Sequence, residues 1–496
     1  MKNFITILAL AAWAATPLSA KDRELPLPET GLEVPAHFKY ARETPGSFMI
    51  KDIWWKMFGD ARLDALEEQA LRNNQNLSRA VANIVEARAK ARAVQSDLFP
   101  QISGSLDTVR RRTTDNGPVV SSRIIGDGFA IPGVPAGGGP STFAGQSVSS
   151  TYSQFEGGIA IGYELDVFGR VQHAYAQARE QARVSVADRE AVALSLTTEV
   201  ANRYFTLRAL DSQQAVLRET LDLRKQSLGL QNDRLKNGKV SQLEVAQAEV
   251  ELANTESDLA DSIRSRGEQE NALALLCGQS ASGFSLPTDP LTSDEPPAIP
   301  AAVPSTLLKN RPDLVGAEHT VIAASEGVSS AHAAELPSFN LNGDYGLDSA
   351  TLDKLSDSDS RVWSLGLKVT IPIWDGGKNA ANVRAAQARR EASLAAYRQT
   401  ALTAFREVED ALLDLRQRAT QAEARARAVA SARKVTDYSR ERYDAGAIDY
   451  FNVIDAERNL LNARVGQVRT RYDRYAATID LIRAIGGSYT PADPAK

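Results

Sequence analysis

The chain of 496 residues is poor in the residues that usually consolidate a globular domain. It has a single cysteine, Cys277, so a disulfide within the chain is excluded, and only 6% of its residues are aromatic. Alanine, arginine, glutamine, glutamate and leucine fill long runs instead. This composition is typical of long helices with narrow apolar seams rather than of domains with thick hydrophobic cores.

Long hydrophobic runs are also missing beyond the N-terminal segment. None reaches the roughly 18 residues of a membrane-spanning helix, so any membrane contact would have to be made by β-strands. The net charge of −5 does not favour nucleic-acid binding. Residues 1–20 contain the basic Lys2, then an apolar stretch, and end at the small residue Ala20. This order predicts a secretory signal peptide, and an N-terminal membrane anchor is the alternative.

The motifs of common catalytic sites are missing too. The sequence has no glycine-rich phosphate loop, no histidine pair at metal-binding spacing and no nucleophile elbow. Its four histidines are scattered, at His37, His173, His319 and His332. We therefore predict that the protein is not an enzyme and has no cofactor or resident metal.

What the chain does contain is an internal duplication. The segments RLKNGKVSQLEVAQAE (234–249) and RYDAGAIDYFNVIDAE (442–457) are identical at five of sixteen positions. Gly238 and Gly446 lie 208 residues apart, whereas Pro100 and Pro337 lie 237 apart. The first half therefore carries extra residues, which fall in a Gly-, Pro-, Ser- and Thr-rich stretch that predicts an exposed loop (112–150).

The duplication predicts two structural repeats joined by a linker. The predicted segments are a signal peptide (1–20), an N-terminal arm (21–59), a first repeat (60–280), a Pro- and Gly-rich equatorial linker (281–304), a second repeat (305–487) and a C-terminal tail (488–496). Each repeat is predicted to hold a helix, a β-hairpin (101–169 and 337–374) and a long helical hairpin (171–277 and 378–486).

Hydrophobic periodicity assigns the elements within each repeat. Apolar residues recur every three or four positions from Leu63 to Leu98, which predicts one helix ending before Pro100. Alternation with a period of two predicts four strands, over 101–109, 155–165, 337–345 and 363–373. Two proline-free runs, 171–235 and 378–443, predict helices of about 100 Å each.

Four strands are too few to close a barrel, which needs about eight. A single chain would leave exposed sheet edges, so we expect several copies to share one transmembrane barrel. A soluble two-sheet sandwich also alternates and is the alternative architecture. It gives the long helices no role.

The repeated glycines mark the tips of the two helical hairpins. Gly238 and Gly446 can adopt the left-handed conformation that ends a helix, and Ser241 and Asp449 are suited to cap the returning helices. The alternative is that these are ordinary turns between helices, without a function of their own.

Just beyond the second tip, Phe451 and Asp455 are four residues apart and share one helix face. Around an axis of several chains they would form an apolar ring and a carboxylate ring that restrict a pore and favour cations. The alternative places Phe451 in a coiled-coil seam and Asp455 in solvent.

Four segments resemble the TolC-like outer-membrane efflux proteins, and are closest to the branch that includes OprM and the NodT-type factors. They are YELDVFGR (163–170), LLKNRPDLVGAEH (307–319), IPIWDGG (371–377) and RYDAGAIDYFNVIDAERNL (442–460). The resemblance covers nearly the whole chain after the signal peptide, and the segments occur in the same order.

This resemblance implies an α+β membrane protein that works as a homotrimer. Its fold class is a duplicated chain with four transmembrane β-strands and long α-helical hairpins, assembling as a twelve-stranded β-barrel with an α-helical periplasmic tunnel. It implies a location in the outer membrane, extending into the periplasm, and export of small molecules such as drugs or toxic compounds. A periplasmic adaptor and an inner-membrane pump, expected to be of the RND type, would be its partners, together with outer-membrane lipid.

The same resemblance assigns roles to residues. Adaptor contact maps onto the hairpin tips, at Gly238, Val240, Gly446 and Ile448, and the periplasmic gate onto Phe451 and Asp455. Two positions differ from many relatives. Lys21 follows Ala20 where a lipidated cysteine is common, so the barrel alone would anchor the protein, and Asn452 replaces a second aspartate. An exported coiled-coil scaffold or adhesin without a pore is the alternative function.

Overall fold

The computed structural model describes most of the chain after its N-terminal segment. The described residues are 34–35, 37–40, 53–112, 151–291, 293, 295–299 and 310–487. The predicted signal peptide, nearly all of the predicted exposed loop and the C-terminal tail lie outside them. The chain divides into two compact units, a sheet unit (Ala93–Ala174 and Ser329–Val383) and a helical unit formed by the rest of the described chain.

The sheet unit holds one antiparallel four-stranded sheet in the order β1-β2-β3-β4. The strands are β1 (Gln101–Arg112), β2 (Thr151–Leu165), β3 (Ser338–Ser349) and β4 (Arg361–Thr370). β1 and β4 are edge strands among the described residues, since each pairs with one neighbour. The end of β1 and the start of β2, and likewise the end of β3 and the start of β4, lie at one end of the sheet, which we call the hairpin end. The other ends of the strands, next to the helices in the sequence, lie at the opposite end.

The last strand ends earlier than the alternation of the sequence predicts. The expected strand over 363–373 stops at Thr370, and Ile373 and Trp374 beyond it are 93% and 89% exposed. Pro372 explains the difference, because proline has no N–H to donate to a strand ladder.

The register sorts the side chains into two chemically distinct faces. Residues paired across the ladders, such as Ile102 with Ile161, Tyr163 with Leu341 and Tyr345 with Trp363, lie on the same face. This apolar face carries the large hydrophobic side chains Ile102, Leu106, Phe155, Ile159, Ile161, Tyr163, Leu165, Phe339, Leu341, Tyr345, Leu347, Trp363, Leu365, Leu367 and Val369.

The opposite, polar face carries most of the charge of the sheet. Its charged side chains are Asp107, Arg111, Glu156, Glu164, Asp344, Asp348 and Lys368, five acidic and two basic. Glu164 accepts two hydrogen bonds from Arg170, at 2.9 and 2.7 Å. The polar face therefore has an excess of negative charge.

Seven α-helices occupy the rest of the described chain. They are α1 (Ala61–Asn73), α2 (Gln75–Gln95), α3 (Arg170–Lys236), α4 (Gln242–Leu276), α5 (Pro312–Ala333), α6 (Lys378–Asp444) and α7 (Tyr450–Ala484). α3 and α6 each have 67 residues, and α4 and α7 each have 35. Among the helices of these ranges, none is both long and apolar enough to cross a membrane.

The prediction of a single helix from Leu63 to Leu98 is wrong in one respect, because the helix is interrupted at Asn74. This residue has an extended backbone (φ −67°, ψ 126°) and separates α1 from α2. Its side-chain Oδ1 accepts hydrogen bonds from the N–H groups of Asn76 and Leu77, at 2.9 and 3.1 Å. Asparagine is favoured as an N-cap because its oxygen satisfies such unpaired N–H groups.

The main core of the helical unit is built around the aromatic residues before α1. Trp54 and Leu63 pack with Tyr204 of α3, Leu273 of α4 and Ile479 of α7, each at most 1% exposed. A smaller core lies near the hairpin tips and joins Ala248 of α4 to Tyr450, Val453 and Ile454 of α7. The two helical hairpins of one chain therefore pack against each other close to their tips.

Candidate functional site

The two hairpin tips have the same backbone geometry. At the first, Gly238 has φ 67°, its N–H donates to Leu235 O at 2.9 Å, and Lys239 N–H donates to Arg234 O at 2.9 Å. At the second, Gly446 has φ 72°, and the equivalent bonds run to Tyr443 and Arg442. This pair of bonds is the Schellman motif, which requires a left-handed residue and so explains the repeated glycine.

The returning helices begin at the predicted residues, but with different capping. Ser241 is the N-cap of α4, and its N–H donates to the Glu244 carboxylate at 2.8 Å. Asp449 is the N-cap of α7, yet its side chain makes no capping hydrogen bond to the described backbone. Gly238 and Gly446 are exposed, whereas Val240 and Ile448 are half-buried.

Phe451 and Asp455 lie together on the exposed face of α7. The Phe451 side chain is 57% exposed, and Asp455 is exposed and accepts a hydrogen bond from Asn459 at 3.1 Å. The opposite face holds Tyr450 and Val453, which are buried. Within one chain, Phe451 therefore does not occupy the seam between the hairpins.

A polar network without a periodic sequence pattern joins the two hairpins. Glu251 of α4 accepts a hydrogen bond from Arg458 of α7 at 2.7 Å and pairs with Arg224 of α3 at 2.9 Å. The Glu251 hydrogen bond raises the pKa of Arg458. Arg224 also donates to Thr255. All three charged groups are thus engaged in one cluster.

A second group of contacts joins the hairpins nearer to the tips. Arg234 pairs with Asp444 at 2.9 Å and lies over the ring of Tyr443, 5.3 Å from its centroid. Tyr450 and Ser227 share a hydrogen bond of 2.9 Å, and burial raises the pKa of Tyr450.

The duplication itself carried a signal for the polar network. The residues at an offset of 208 from Arg224 and Glu251 are Ala432 and Asn459, and the one 208 before Arg458 is Val250. At all three positions, therefore, the cluster has a charged residue where the other repeat has an uncharged one. A comparison that looks for identities between repeats misses such positions.

The described residues offer no group of three or more His, Cys, Asp or Glu side chains that could hold a metal ion.

Comparisons with known proteins identify the family. The chain matches the family described as outer membrane efflux protein over residues 66–279 and 303–487. It is 31% identical to the pyoverdine export outer membrane protein OpmQ of Pseudomonas aeruginosa over 495 residues, covering 99% of this chain and 97% of OpmQ. It is 30% identical to the cation efflux system protein CusC of Escherichia coli over 436 residues, covering 88% of each chain.

Solved structures agree with this assignment. The Campylobacter jejuni CmeC outer membrane channel superimposes with a TM-score of 0.80 at 25% identity, covering 95% of each chain. The predicted fold class, function class and location are confirmed by these matches, whereas the placement in one branch stays a prediction. The chain belongs to the outer membrane efflux protein family and is an outer-membrane channel component of a tripartite efflux system.

Proposed function

We propose that three copies of this chain form one passive export duct for small molecules. The observation that carries this proposal is the four-stranded sheet, which has two unpaired edges and one continuous apolar face among the described residues. Three such sheets would supply twelve strands, enough to close a barrel with the apolar faces outward and the polar faces inward. Closure also removes the exposed edges.

The helical hairpins would form the wall of the periplasmic tunnel, with Phe451 and Asp455 as its gate. These two side chains project from α7 on the side away from the packing between hairpins. Three copies around an axis would place three phenyl groups and three carboxylates in one constriction. Such rings narrow a pore and favour cations over anions.

The hairpin tips would dock the periplasmic adaptor. Gly238 and Gly446 present exposed backbone, and Val240 and Ile448 present partly exposed apolar side chains next to them. Two tips per chain with the same turn geometry would give six similar docking points in a trimer. An adaptor could therefore bind both repeats by the same kind of contact.

The pump, and not this chain, would choose the cargo. The names of two relatives of nearly equal identity refer to pyoverdine and to cations, which are chemically unrelated. A polar duct can pass both, so selection belongs to the energised partner in the inner membrane, for which we propose an RND-type pump.

Single-channel recording in planar bilayers tests the gate. Wild-type trimers should show a small, cation-preferring conductance. Asp455→Ala should raise the conductance and lower the cation preference, and Phe451→Ala should raise the conductance while the preference stays. An Asp455→Ala channel with wild-type conductance and preference would refute the gate assignment.

Detergent extraction separates the duct from a scaffold without a pore. A duct requires detergent for extraction from membranes and migrates as a heat-sensitive trimer. Release into buffer alone, as a species without trimers, would favour the exported scaffold instead.

A further inference from the structure

The apolar face of the sheet carries charge at three positions only, among the four described strands. These are Arg110 and Arg112 on β1 and Arg361 on β4, whereas every carboxylate of the strands lies on the polar face. Because directly paired residues share a face, the pairs Arg110–Ser153, Arg112–Thr151 and Arg361–Leu347 fix this placement. The apolar face of the described strands thus carries basic groups but no acidic ones, and this one-sided distribution calls for an explanation.

All three arginines lie toward the hairpin end, beyond the apolar residues of their own strands. On β1 they follow Ile102 and Leu106, and on β4 Arg361 precedes Trp363. A strand tilted by about 40° rises roughly 2.5 Å per residue along the membrane normal, so Arg110 lies about 23 Å above Gln101. The apolar band of such a barrel is about 25 Å tall, so Arg110 and Arg112 fall at its outer boundary. Arg361 is the first residue of β4 and lies nine residues from Thr370 at the other end of that strand, which gives a similar rise.

The three guanidinium groups are also without protein partners among the described residues. Arg110, Arg112 and Arg361 are exposed, and no described residue forms a hydrogen bond or ion pair with them. Trp363, two residues from Arg361 on the same face, is 75% exposed. An aromatic ring beside a cation at the edge of an apolar band is the arrangement that favours the membrane–water interface.

We propose that Arg110, Arg112 and Arg361 bind the phosphate groups of a phosphorylated lipid in the outer leaflet of the outer membrane. This inference rests on the proposed function, in which the apolar face contacts lipid and the hairpin end faces outward. Arginine matches phosphate because its planar guanidinium can donate two parallel hydrogen bonds. The apolar face directly below would contact the acyl chains of the same lipid, and this continuity favours a lipid over a free phosphate.

The three arginines lie on the two edge strands, β1 and β4, so the lipid site would lie at the junction between neighbouring chains of the trimer. Closing the barrel would bring β4 of one chain beside β1 of the next, so the three arginines of each lipid site would come from two chains. A phosphorylated lipid bound there would bridge the junction between chains. It would therefore stabilise the trimer as well as bind to it.

Binding of diphosphorylated lipid A to the detergent-solubilised full-length trimer, measured by native mass spectrometry, tests the proposal. Wild type should bind this lipid and bind dephosphorylated lipid A weakly. Arg110→Gln with Arg112→Gln should weaken binding roughly 30-fold, and adding Arg361→Gln roughly 150-fold, on the basis of about 1 kcal/mol for each basic residue at a charged surface. If the triple variant does not assemble, the double variant carries the test.

Arg111→Gln is the matched control, because it removes the same charge from the same strand on the polar face. The affinity of this variant for diphosphorylated lipid A should stay within about twofold of the wild-type value, because the side chain at position 111 points away from the lipid. Equal weakening by Arg111→Gln would overturn the proposal, as would equal binding of phosphorylated and dephosphorylated lipid. Tight binding of inorganic pyrophosphate that displaces lipid A would assign the arginines to free phosphate and overturn it too.

Trimer formation and conductance of each variant are measured in parallel. Lost lipid binding with intact trimers and conductance supports the inference. A wild-type protein that forms neither trimers nor pores would defeat the proposed function itself, which is a different failure. Retained lipid binding in conducting triple-variant trimers would defeat the lipid site alone.

Discussion

Arg458 of α7 donates a hydrogen bond of 2.7 Å to Glu251 of α4 and so ties the second helical hairpin to the first. The same carboxylate pairs with Arg224 from the opposite side, at 2.9 Å. The three members differ in exposure: the side chains of Arg224 and Glu251 are each 6% exposed, whereas that of Arg458 is 46% exposed. Replacing the buried Glu251 should therefore change the stability of the protein far more than replacing the half-exposed Arg458.

We predict that Glu251→Gln destabilises the protein far more than Arg458→Gln. The first change leaves the buried guanidinium of Arg224 without its carboxylate, which costs about 3–5 kcal/mol. The second removes a half-exposed partner and leaves the Arg224–Glu251 pair intact, at a cost of about 1 kcal/mol or less. Heat dissociation of the purified trimer measures both. Equal losses would show that Glu251 gains most of its stabilisation from Arg458.

The glycines with positive φ should differ in their tolerance of alanine. Gly446 at the second tip has no heavy atom of the described chain within 4 Å of an added Cβ, so Gly446→Ala should cost only the left-handed strain of about 1–2 kcal/mol. At Gly278 the added Cβ would lie 2.4 Å from the Asn73 carbonyl oxygen, so Gly278→Ala should abolish assembly. The yield and heat stability of trimers compare the two, and a stable Gly278→Ala trimer would contradict the close approach.

Glu67 of α1 should make stability depend on pH. It is fully buried, its two carboxylate oxygens have no hydrogen-bond partner among the described residues, and burial and then the nearby Asp64 raise its pKa well above 4.5. Because the folded state holds the proton at a pH where the unfolded state has lost it, the contribution of this group to stability falls as pH rises above 4.5, by about 1.4 kcal/mol per pH unit, up to the raised pKa.

Glu67→Gln removes this titration while it keeps the shape of the side chain. The stability of the variant relative to wild type should increase from pH 5 toward neutral pH, and chemical denaturation at several pH values measures the difference. Glu68→Gln, a change on the exposed neighbour, is the matched control. A constant difference between wild type and Glu67→Gln across this range would show that Glu67 keeps an ordinary pKa in the folded protein.

The acidic excess on the polar face should give the barrel part of the duct its own cation preference. Glu156→Gln with Asp344→Asn should lower the cation-to-anion permeability ratio by a factor of about two, because charges lining a narrow passage act within the screening length of roughly 10 Å at 0.1 M salt. Arg111→Gln removes a positive charge from the same face and should shift the ratio in the opposite direction. Reversal potentials across a salt gradient measure both, and shifts of the same sign would refute the assignment of this face to the passage.

The elements with a clear period could be predicted from the sequence. Alternation assigned the four strands, and the proline-free runs assigned α3 and α6, because side-chain period follows backbone geometry. The break at Asn74 was not predicted, since the apolar period of α1 continues into α2 and only the side-chain hydrogen bonds of Asn74 reveal the end. The end of β4 was misplaced because the alternating residues continue past Pro372, where the ladder cannot.

The candidate site was predictable where it depends on local conformation and not where it depends on distant pairing. A glycine between charged helical segments identifies a turn, so the tips at Gly238 and Gly446 followed from the sequence. The cluster of Arg224, Glu251 and Arg458 joins residues up to 234 positions apart and has no periodic pattern of its own. Only the packing of the two hairpins brings these residues together.

The long helices of the two repeats, α3 and α6, have equal lengths, and this restricts the insertions and deletions that the chain can tolerate. Arg234 and Asp444 meet at 2.9 Å because both 67-residue helices reach their turns at the same level. Deleting one residue from α3 alone would draw its tip back by about 1.5 Å and rotate everything beyond the deletion by about 100°. An insertion or deletion in one helical hairpin should therefore be tolerated only if the other hairpin changes by the same number of residues. The ancestral duplication in this way still limits the length changes that can persist in evolution.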